Sequence, residues 1–380
     1  MIPVDMVTDP NSKRGRIGLR EIADLAQVSV ATVSRVLNGN PHVDQAIQKA
    51  VLDAAAKLDI DVSTRNKTKA IAFLLSNRSL LHAFHSRVLI GAEKHCTALG
   101  WDMVFLSHNY SLNVTHRELR PPQILQRQDT VRAVILAGTN SMDMLQFLQR
   151  KHITFAVLGN NVVNATDDLK DYDVVFGDDI QGAYDMTRYL ISLGHREIGF
   201  VGNLRMPWFS RCLAGYRRGM NDAGLSERLN STDSEDDVES GYLGTKLLLA
   251  QHKKITAILA GDDPTAHGVY KALRASGLRV PEDISVCGCN DTVGSWLHPP
   301  LTTIREFPQQ LGRQLAEVVL NRIQSPGLSP QRVIVPSELV KRDSCHPVLV
   351  PSNPGAATTR STEGHSPMKT GDGALDSFRP

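Results

Sequence analysis

From Lys69 onward, the sequence alternates between short apolar runs and amphipathic stretches with the period of an α-helix. The apolar runs have the length and composition of buried strands. They lie at residues 70–75, 102–106, 133–138, 155–159, 174–177, 197–202, 257–261, 285–289 and 333–340. Strands that alternate with helices predict parallel sheets covered by helices on both faces. Nine strands exceed one ordinary sheet, so we expect an α/β fold with two linked lobes.

Residues 17–60 differ from this pattern, because the helical period dominates there. Two short helices are predicted, joined by a tight turn that Val28 fills, and Ser29 is placed to cap the second helix. Their inward-facing side chains are Ile22, Ala23, Ala26, Val33, Val36 and Leu37. Two short helices that cross at such a turn form a helix-turn-helix, whose second helix enters the DNA major groove. A three-helix bundle without a ligand fits the same spacing.

Charge is distributed unevenly along the 380 residues. The formal net charge is only +2, whereas residues 11–69 carry ten Lys/Arg against six Asp/Glu. A basic segment ahead of a near-neutral body favours a polyanionic partner for that segment alone. A solvated charged face accounts for the same excess.

Cysteine usage and the distribution of apolar residues favour a cytoplasmic protein. The five cysteines are odd in number and scattered, which is typical of a reducing compartment. We interpret Cys287 and Cys289 as small buried apolar residues rather than half of a metal site. There is no run of about 18 apolar residues, and residues 1–16 lack the apolar segment of a secretory signal. We therefore expect no membrane partner, a flexible leader at 1–16 and a disordered tail at 346–380.

The stretch LREIADLAQVSVATVSRVLN, at 19–38, resembles the helix-turn-helix of the lactose-repressor (LacI/GalR) family of bacterial transcription regulators. The resemblance implies that Val30, Ala31 and Arg35 read bases. Arg can bind guanine through two hydrogen bonds, while Val and Ala can contact thymine methyl groups. The residues implied to contact the phosphate backbone are Ser29, Thr32, Ser34, Asn38 and His42. Gln27 stands where glycine is frequent, so we expect some strain in the turn.

The linker at 61–69 departs from the family pattern. The chain reads LDIDVSTRNKTKAIAFLL over 58–75, without the usual Pro-Asn pair and without the leucine that wedges into the minor groove. It is also shorter than usual, although Arg65, Lys67 and Lys69 can still meet phosphates. We therefore expect weaker binding or a differently bent DNA site.

The resemblance continues to about residue 345, for example in LGHREIGFVGN (193–203), TAILAGDDPTAHGVYKAL (256–273) and SELVKRDS (337–344). It implies two Rossmann-like parallel-sheet lobes of the type I periplasmic-binding-protein fold, behind the all-α headpiece. The chain is expected to cross between lobes near Gly194, Pro300 and Pro330. The predicted boundaries are 70–193 with 302–329 for the N-terminal lobe, and 194–301 with 330–345 for the C-terminal lobe.

A ligand site is expected outside the carboxyl ends of the strands. Asn and Asp recur there, and short amides and carboxylates suit vicinal hydroxyls, although both residues also favour ordinary turns. The predicted effector-binding residues are Asp262, Asn290, Asp291, Arg211, Trp208, His82, Phe84, His85 and Asn140. Trp208 could stack on a sugar or nucleobase, and Phe84 could instead pack in the core.

Two assignments within this set need comment. Arg211 resembles the ligand-gripping arginine of the family, although Cys212 takes its expected place. We interpret His82 and His85 as polar contacts rather than metal ligands.

These observations predict a repressor that binds a pseudo-palindromic double-stranded DNA operator as a homodimer or tetramer, under the control of a small effector. A carbohydrate is the first choice of effector, with a nucleoside or a phosphosugar-bearing partner protein as alternatives. A sugar transport receptor is a rival class, which the helix-turn-helix argues against. A doubly wound dehydrogenase is another, but the sequence contains no Gly-x-Gly-x-x-Gly fingerprint. We expect no enzyme activity, no cofactor and no metal.

Overall fold

A computed structural model describes most of the chain. The described residues are 19–37, 43–58, 60, 69–80, 82–126, 130–165, 169–232, 234 and 236–348. Within these ranges, no helix has the length and apolar character needed to cross a bilayer. The predicted leader, nearly all of the linker and the tail beyond residue 348 lie outside the described residues.

The headpiece contains three helices around a small apolar core. They are α1 (Leu19–Leu25), α2 (Val30–Leu37) and α3 (Gln45–Lys57). Ile22, Val33 and Val51 are fully buried at their junction. The backbone amide of Thr32 donates to Ser29 Oγ at 3.0 Å, which confirms the predicted cap. Gln27 has φ of 53°, in the left-handed region that costs a non-glycine residue about 1 kcal/mol, so the strain expected in this turn is confirmed.

Two six-stranded sheets carry the rest of the described chain. The strands of the first, in chain order, are β1 (Ala70–Ser76), β2 (Asp102–His108), β3 (Ala133–Gly138), β5 (Phe155–Leu158), β7 (Val174–Gly177) and β13 (Arg332–Val335). Those of the second are β8 (Ile198–Val201), β9 (Arg228–Asn230), β10 (Ala257–Ala260), β11 (Ser285–Cys289), β12 (Thr302–Arg305) and β14 (Glu338–Val340). A separate short pair is formed by β4 (Asn140–Ser141) and β6 (Val162–Val163).

The first sheet has the order β13-β7-β5-β3-β1-β2 and is parallel throughout. The second has the order β14-β12-β11-β10-β8-β9, and only β14 pairs antiparallel. The helices of the lobes are α4 (Ala83–Ala98), α5 (Met142–Arg150), α6 (Asp179–Ser192), α7 (Pro207–Asp222), α8 (Asp237–Gln251), α9 (Asp263–Ala275) and α10 (Pro308–Gln324). The predicted α/β architecture with a helical headpiece is confirmed.

Helices cover both faces of each sheet, which explains why the central strands are apolar throughout. Helices α4 and α10 pack on one face of the first sheet, and α5 packs on the other. Helices α6 and α7 pack on one face of the second sheet, with α8 and α9 opposite.

The expected lobe crossings near Gly194, Pro300 and Pro330 are wrong. Helix α6 already packs in the second lobe, so the first crossing is at Asp178, and Gly194 only follows the end of that helix. Strand β12 joins the second sheet, and the chain crosses back at Glu306, before α10.

The apolar run predicted as one strand over 333–340 is two strands in different sheets. Strand β13 belongs to the first sheet and β14 to the second, with the third crossing between them at Pro336. Proline has no backbone N–H and fits poorly inside a continuous strand. The lobe boundaries therefore lie at 178, 306 and 336 rather than where helix stops and earlier prolines suggested.

Candidate functional site

Helix α2 presents a polar and small-residue face to solvent. Val30 is 40% exposed, and Ala31 and Arg35 are also exposed, while Val33 and Leu37 face the headpiece core. The hydroxyls of Ser29 and Thr32 lie 2.8 Å apart at the start of the helix. The structure thus leaves the three predicted base-reading side chains accessible on one short helix, while Asn38 and His42 lie outside the described residues.

A polar cleft lies where the carboxyl ends of the two sheets face each other, with an empty volume of about 530 Å³. Its lining follows the ends of six parallel strands and the starts of α4 and α7. The lining residues are Arg78, His82, Phe84, His85, Asn160, Asn161, Asp179, Trp208, Cys212, Gly261, Asp262, Cys289, Asn290 and Glu306. This is the position at which α/β folds bind small ligands.

Six of the predicted effector-binding residues lie in this cleft. They are His82, Phe84, His85, Trp208, Asp262 and Asn290. The rule that ligand-binding residues follow strands therefore located much of the site before any tertiary structure was known.

Three predicted residues do not line the cleft. Asn140 is fully buried, and its amide donates to the carbonyls of Ala137 and Gly138 at 3.0 and 3.2 Å. Asp291 accepts from Arg342 at 2.7 Å and from Arg305 at 2.8 Å. These groups are already satisfied by the protein, so their side chains hold loops in place.

Arg211 lies behind the cleft wall. Its Nε donates to the carboxylate of Asp179 at 2.8 Å, and its guanidinium lies 4.7 Å from the ring centre of Phe176. It therefore orients Asp179, which does line the cleft. Cys212 lines the cleft in its place, with its Sγ 3.8 Å from that of Cys289.

Sequence reasoning missed several lining residues for identifiable reasons. Asn160 follows β5 and obeys the strand-end rule, but it was not selected. Glu306 follows β12, a strand that the apolar pattern did not reveal. Arg78 reaches the cleft from the loop after β1, and nothing in its local sequence indicates its partner.

Arg78 lies on the face of Trp208 across the cleft. Its guanidinium carbon is 4.2 Å from the ring centre, and its Nε donates to Thr139 Oγ1 at 3.3 Å. Burial lowers the pKa of Arg78, and the charges of Asp237 and Asp262 oppose that shift. Arg78 belongs to the first lobe and Trp208 to the second, so this contact joins the lobes.

The two cleft histidines are neutral at physiological pH. Burial, with smaller contributions from His82 and Arg78, lowers the pKa of His85 to about 3. Burial and the charge of Arg78 also lower the pKa of His82. His85 is only 3% exposed, and its Nδ1 has no hydrogen-bond partner.

Three carboxyl groups form the acidic part of the cleft. Burial raises the pKa of Asp179, against the opposing effect of Arg211 and of the Asn160 amide, which donates at 2.7 Å. Burial and the charge of Asp237 raise the pKa of Asp262 to about 7, although its Oδ1 accepts from the Thr265 amide at 2.8 Å. Burial and the charge of Asp179 raise the pKa of Glu306 to about 8.

A helix-turn-helix and a two-lobed core with a polar cleft define a ligand-responsive DNA-binding regulator. Residues 18–60 match the family described as bacterial regulatory proteins, lacI family, and residues 187–345 match the periplasmic binding protein-like domain. The chain belongs to the LacI family of transcription regulators.

Similar proteins are repressors along nearly their whole length. The ribose operon repressor of Haemophilus influenzae is 28% identical over 340 residues, which cover 86% of this chain and 98% of the relative. The HTH-type transcriptional repressor PurR of the same species is 28% identical over 345 residues, covering 87% and 99%.

Solved structures of two regulators are also similar. The transcriptional regulator CelR–cellobiose complex is 27% identical with a TM-score of 0.64, and the match covers 87% of this chain and 100% of that one. A lac repressor dimer bound to operator and the anti-inducer ONPF is 25% identical with a TM-score of 0.65, covering 87% and 99%.

Proposed function

We propose that this chain is a cytoplasmic transcriptional repressor that binds a pseudo-palindromic operator as a dimer, under the control of a small sugar. The observation that carries the proposal is the presence, in one chain, of an accessible reading helix and a polar cleft between two lobes. Relatives named for the ribose operon and a neighbour bound to cellobiose support a carbohydrate effector. Because the curated relatives are repressors, we assign regulation rather than catalysis.

In this proposal, Val30, Ala31 and Arg35 read bases in the major groove. Ser29, Thr32 and Ser34 contact phosphates, which set the register of the helix without specifying sequence. The effector contacts are proposed to be His82, Phe84, His85, Trp208, Asp262 and Asn290, since these line the cleft.

Replacement of Arg35 tests the assignment of the reading helix. An operator is first selected with the wild-type protein from a random DNA library, and fluorescence anisotropy then compares it with an unrelated duplex. We expect Arg35→Ala to lower the affinity for the operator by about 1–3 kcal/mol and to lose most of the preference over unrelated DNA.

Lys49→Ala is the matched control, because it removes one exposed positive charge from α3 rather than α2. It should weaken binding to both duplexes by a similar factor, or leave both unchanged. An operator preference retained by Arg35→Ala would contradict the assignment.

A further inference from the structure

Carboxyl groups outnumber cationic groups around the cleft. Five carboxyl groups lie in it or interact with its lining: Asp179, Asp237, Asp262, Asp263 and Glu306. The positive charges that act on them belong to Arg78 and Arg211. The neutral His82 and His85 add none. The charge of the cleft is therefore unbalanced toward negative.

Most of these carboxyl groups have partners within the protein. Asp179 is paired with Arg211 at 2.8 Å. Asp263 accepts from Thr303 Oγ1 at 2.6 Å and from the Gly294 amide at 2.9 Å. Asp237 and Asp262 share the field of Arg78. In the described part of the chain, Glu306 alone among the five has neither a hydrogen bond nor an ion pair.

The groups that face Glu306 do not neutralise it. Asp179 on α6 and Asp263 on α9 oppose its ionisation, and Arg211 on α7 favours it but is committed to Asp179. Arg305 and Arg87 line a neighbouring cavity with Glu306. Arg305 is paired with Asp291 and Glu338, and Arg87, on α4, is exposed to solvent.

Two independent features show that the same cleft accommodates positive charge and offers it hydrogen bonds. The guanidinium of Arg78 already lies on the Trp208 ring at 4.2 Å, within the field of two carboxylates. The Nδ1 atom of His85 is buried without a partner, and a neutral imidazole nitrogen can accept a hydrogen bond from an N–H group.

The ligand chemistry follows from this imbalance. A phosphorylated or acidic ligand would add negative charge to a cleft that already has an excess of it. A neutral sugar would leave the ionised form of Glu306 buried without a partner, which is costly. No group of three His, Cys, Asp or Glu side chains in the described ranges is arranged to hold a metal ion, so the missing cation is organic.

We infer that the effector is a carbohydrate bearing a protonated amine, which Glu306 receives in a charge-assisted hydrogen bond. This inference rests on the proposed function, because it names the chemical class of the ligand in the same cleft. Uptake of the ammonium group ionises Glu306, so binding at pH 7 releases a proton from a carboxyl group whose pKa is about 8 in the empty cleft.

The test measures binding of matched sugars to the full chain by titration calorimetry at pH 7. The pairs are glucosamine with glucose, galactosamine with galactose and mannosamine with mannose; glucose 6-phosphate represents anionic ligands. We expect one amino sugar to bind at least about tenfold more tightly than its parent. Its binding enthalpy should vary with the ionisation enthalpy of the buffer, which reports the released proton.

Glu306→Gln should reduce the preference for the amine to less than about threefold and abolish proton release, whereas Glu282→Gln, an exposed carboxylate elsewhere, should change neither. The wild-type comparison does not depend on the folding of either variant. Tighter binding of a parent sugar or of the phosphate overturns the inference and leaves the proposed sugar-controlled repressor intact. Failure of every sugar to bind, with operator binding retained, overturns both the inference and the carbohydrate effector.

Discussion

The carboxyl group of Glu306 ionises against two opposing effects, burial and the nearby charge of Asp179. Together they raise its pKa from 4.5 to about 8, so the folded state binds this proton more tightly than the unfolded chain. The stabilising contribution is fully present below pH 4.5 and is lost as the pH rises through about 8. The residue that we assign to ligand charge is thus also a source of pH-dependent stability.

Glu306→Gln should therefore remove part of the pH dependence of stability. Because glutamine cannot ionise, we expect the variant to gain stability relative to the wild type as the pH rises from 5 to 9. The difference in the free energy of unfolding should reach on the order of 1–3 kcal/mol without a ligand. Differential scanning fluorimetry across this pH range measures the change in Tm, with Glu282→Gln as the control. Parallel curves for wild type and Glu306→Gln would contradict the assigned pKa shift.

At the scale of elements, α4 and α10 cross without room for side chains at their contact. A Cβ atom at Gly91 would lie 2.0 Å from the carbonyl oxygen of Gln309, and one at Gly312 would lie 1.9 Å from that of Val88. Backbone atoms, rather than flexible side chains, occupy the space. The close approach lets both helices cover the same face of the first sheet.

Gly91→Ala should separate these helices and destabilise the first lobe. Alanine normally favours a helix by about 1 kcal/mol over glycine, so a loss of stability would report the clash itself. We expect a net loss of about 1–3 kcal/mol, measured as a lower Tm. Gly327→Ala is the matched control, because a Cβ atom there meets nothing within 4 Å. Equal or greater stability of Gly91→Ala would show that the helices can move apart without cost.

At the scale of the whole molecule, each lobe contains segments from distant parts of the chain. The three crossings, at Asp178, Glu306 and Pro336, place two cleft-facing segments next to the connections between lobes. Asp179 and Glu306 line the cleft beside the first and second crossings. A ligand that contacts them is therefore well placed to favour one arrangement of the lobes over another.

Thermodynamic linkage makes this coupling measurable. The factor by which a saturating sugar changes operator affinity must equal the factor by which a saturating operator changes sugar affinity, and coupling of this kind is typically about 5–150-fold. We expect equal factors when anisotropy and calorimetry are performed in the same buffer. Arg35→Ala should keep sugar affinity while losing the effect of operator on it. Two unequal factors, or a coupling factor of one, would contradict effector control.

The sequence alone determined the types of most elements and the character of the headpiece. Helical periodicity, the Ser29 cap and the exposed Arg35 are local properties, because they depend on residues within a few positions of each other. The strand-end rule also found Asp262 and Asn290 in the cleft, since it requires only the end of each strand.

Only the tertiary structure decided which sheet each strand joins and which polar group each side chain meets. Strands β12, β13 and β14 are close in sequence but divide between two sheets. Arg211 pairs with Asp179, and Arg78 reaches Trp208 in the other lobe, leaving Glu306 without a counter-charge. These pairings join segments far apart in the chain, and local patterns carry no information about such contacts.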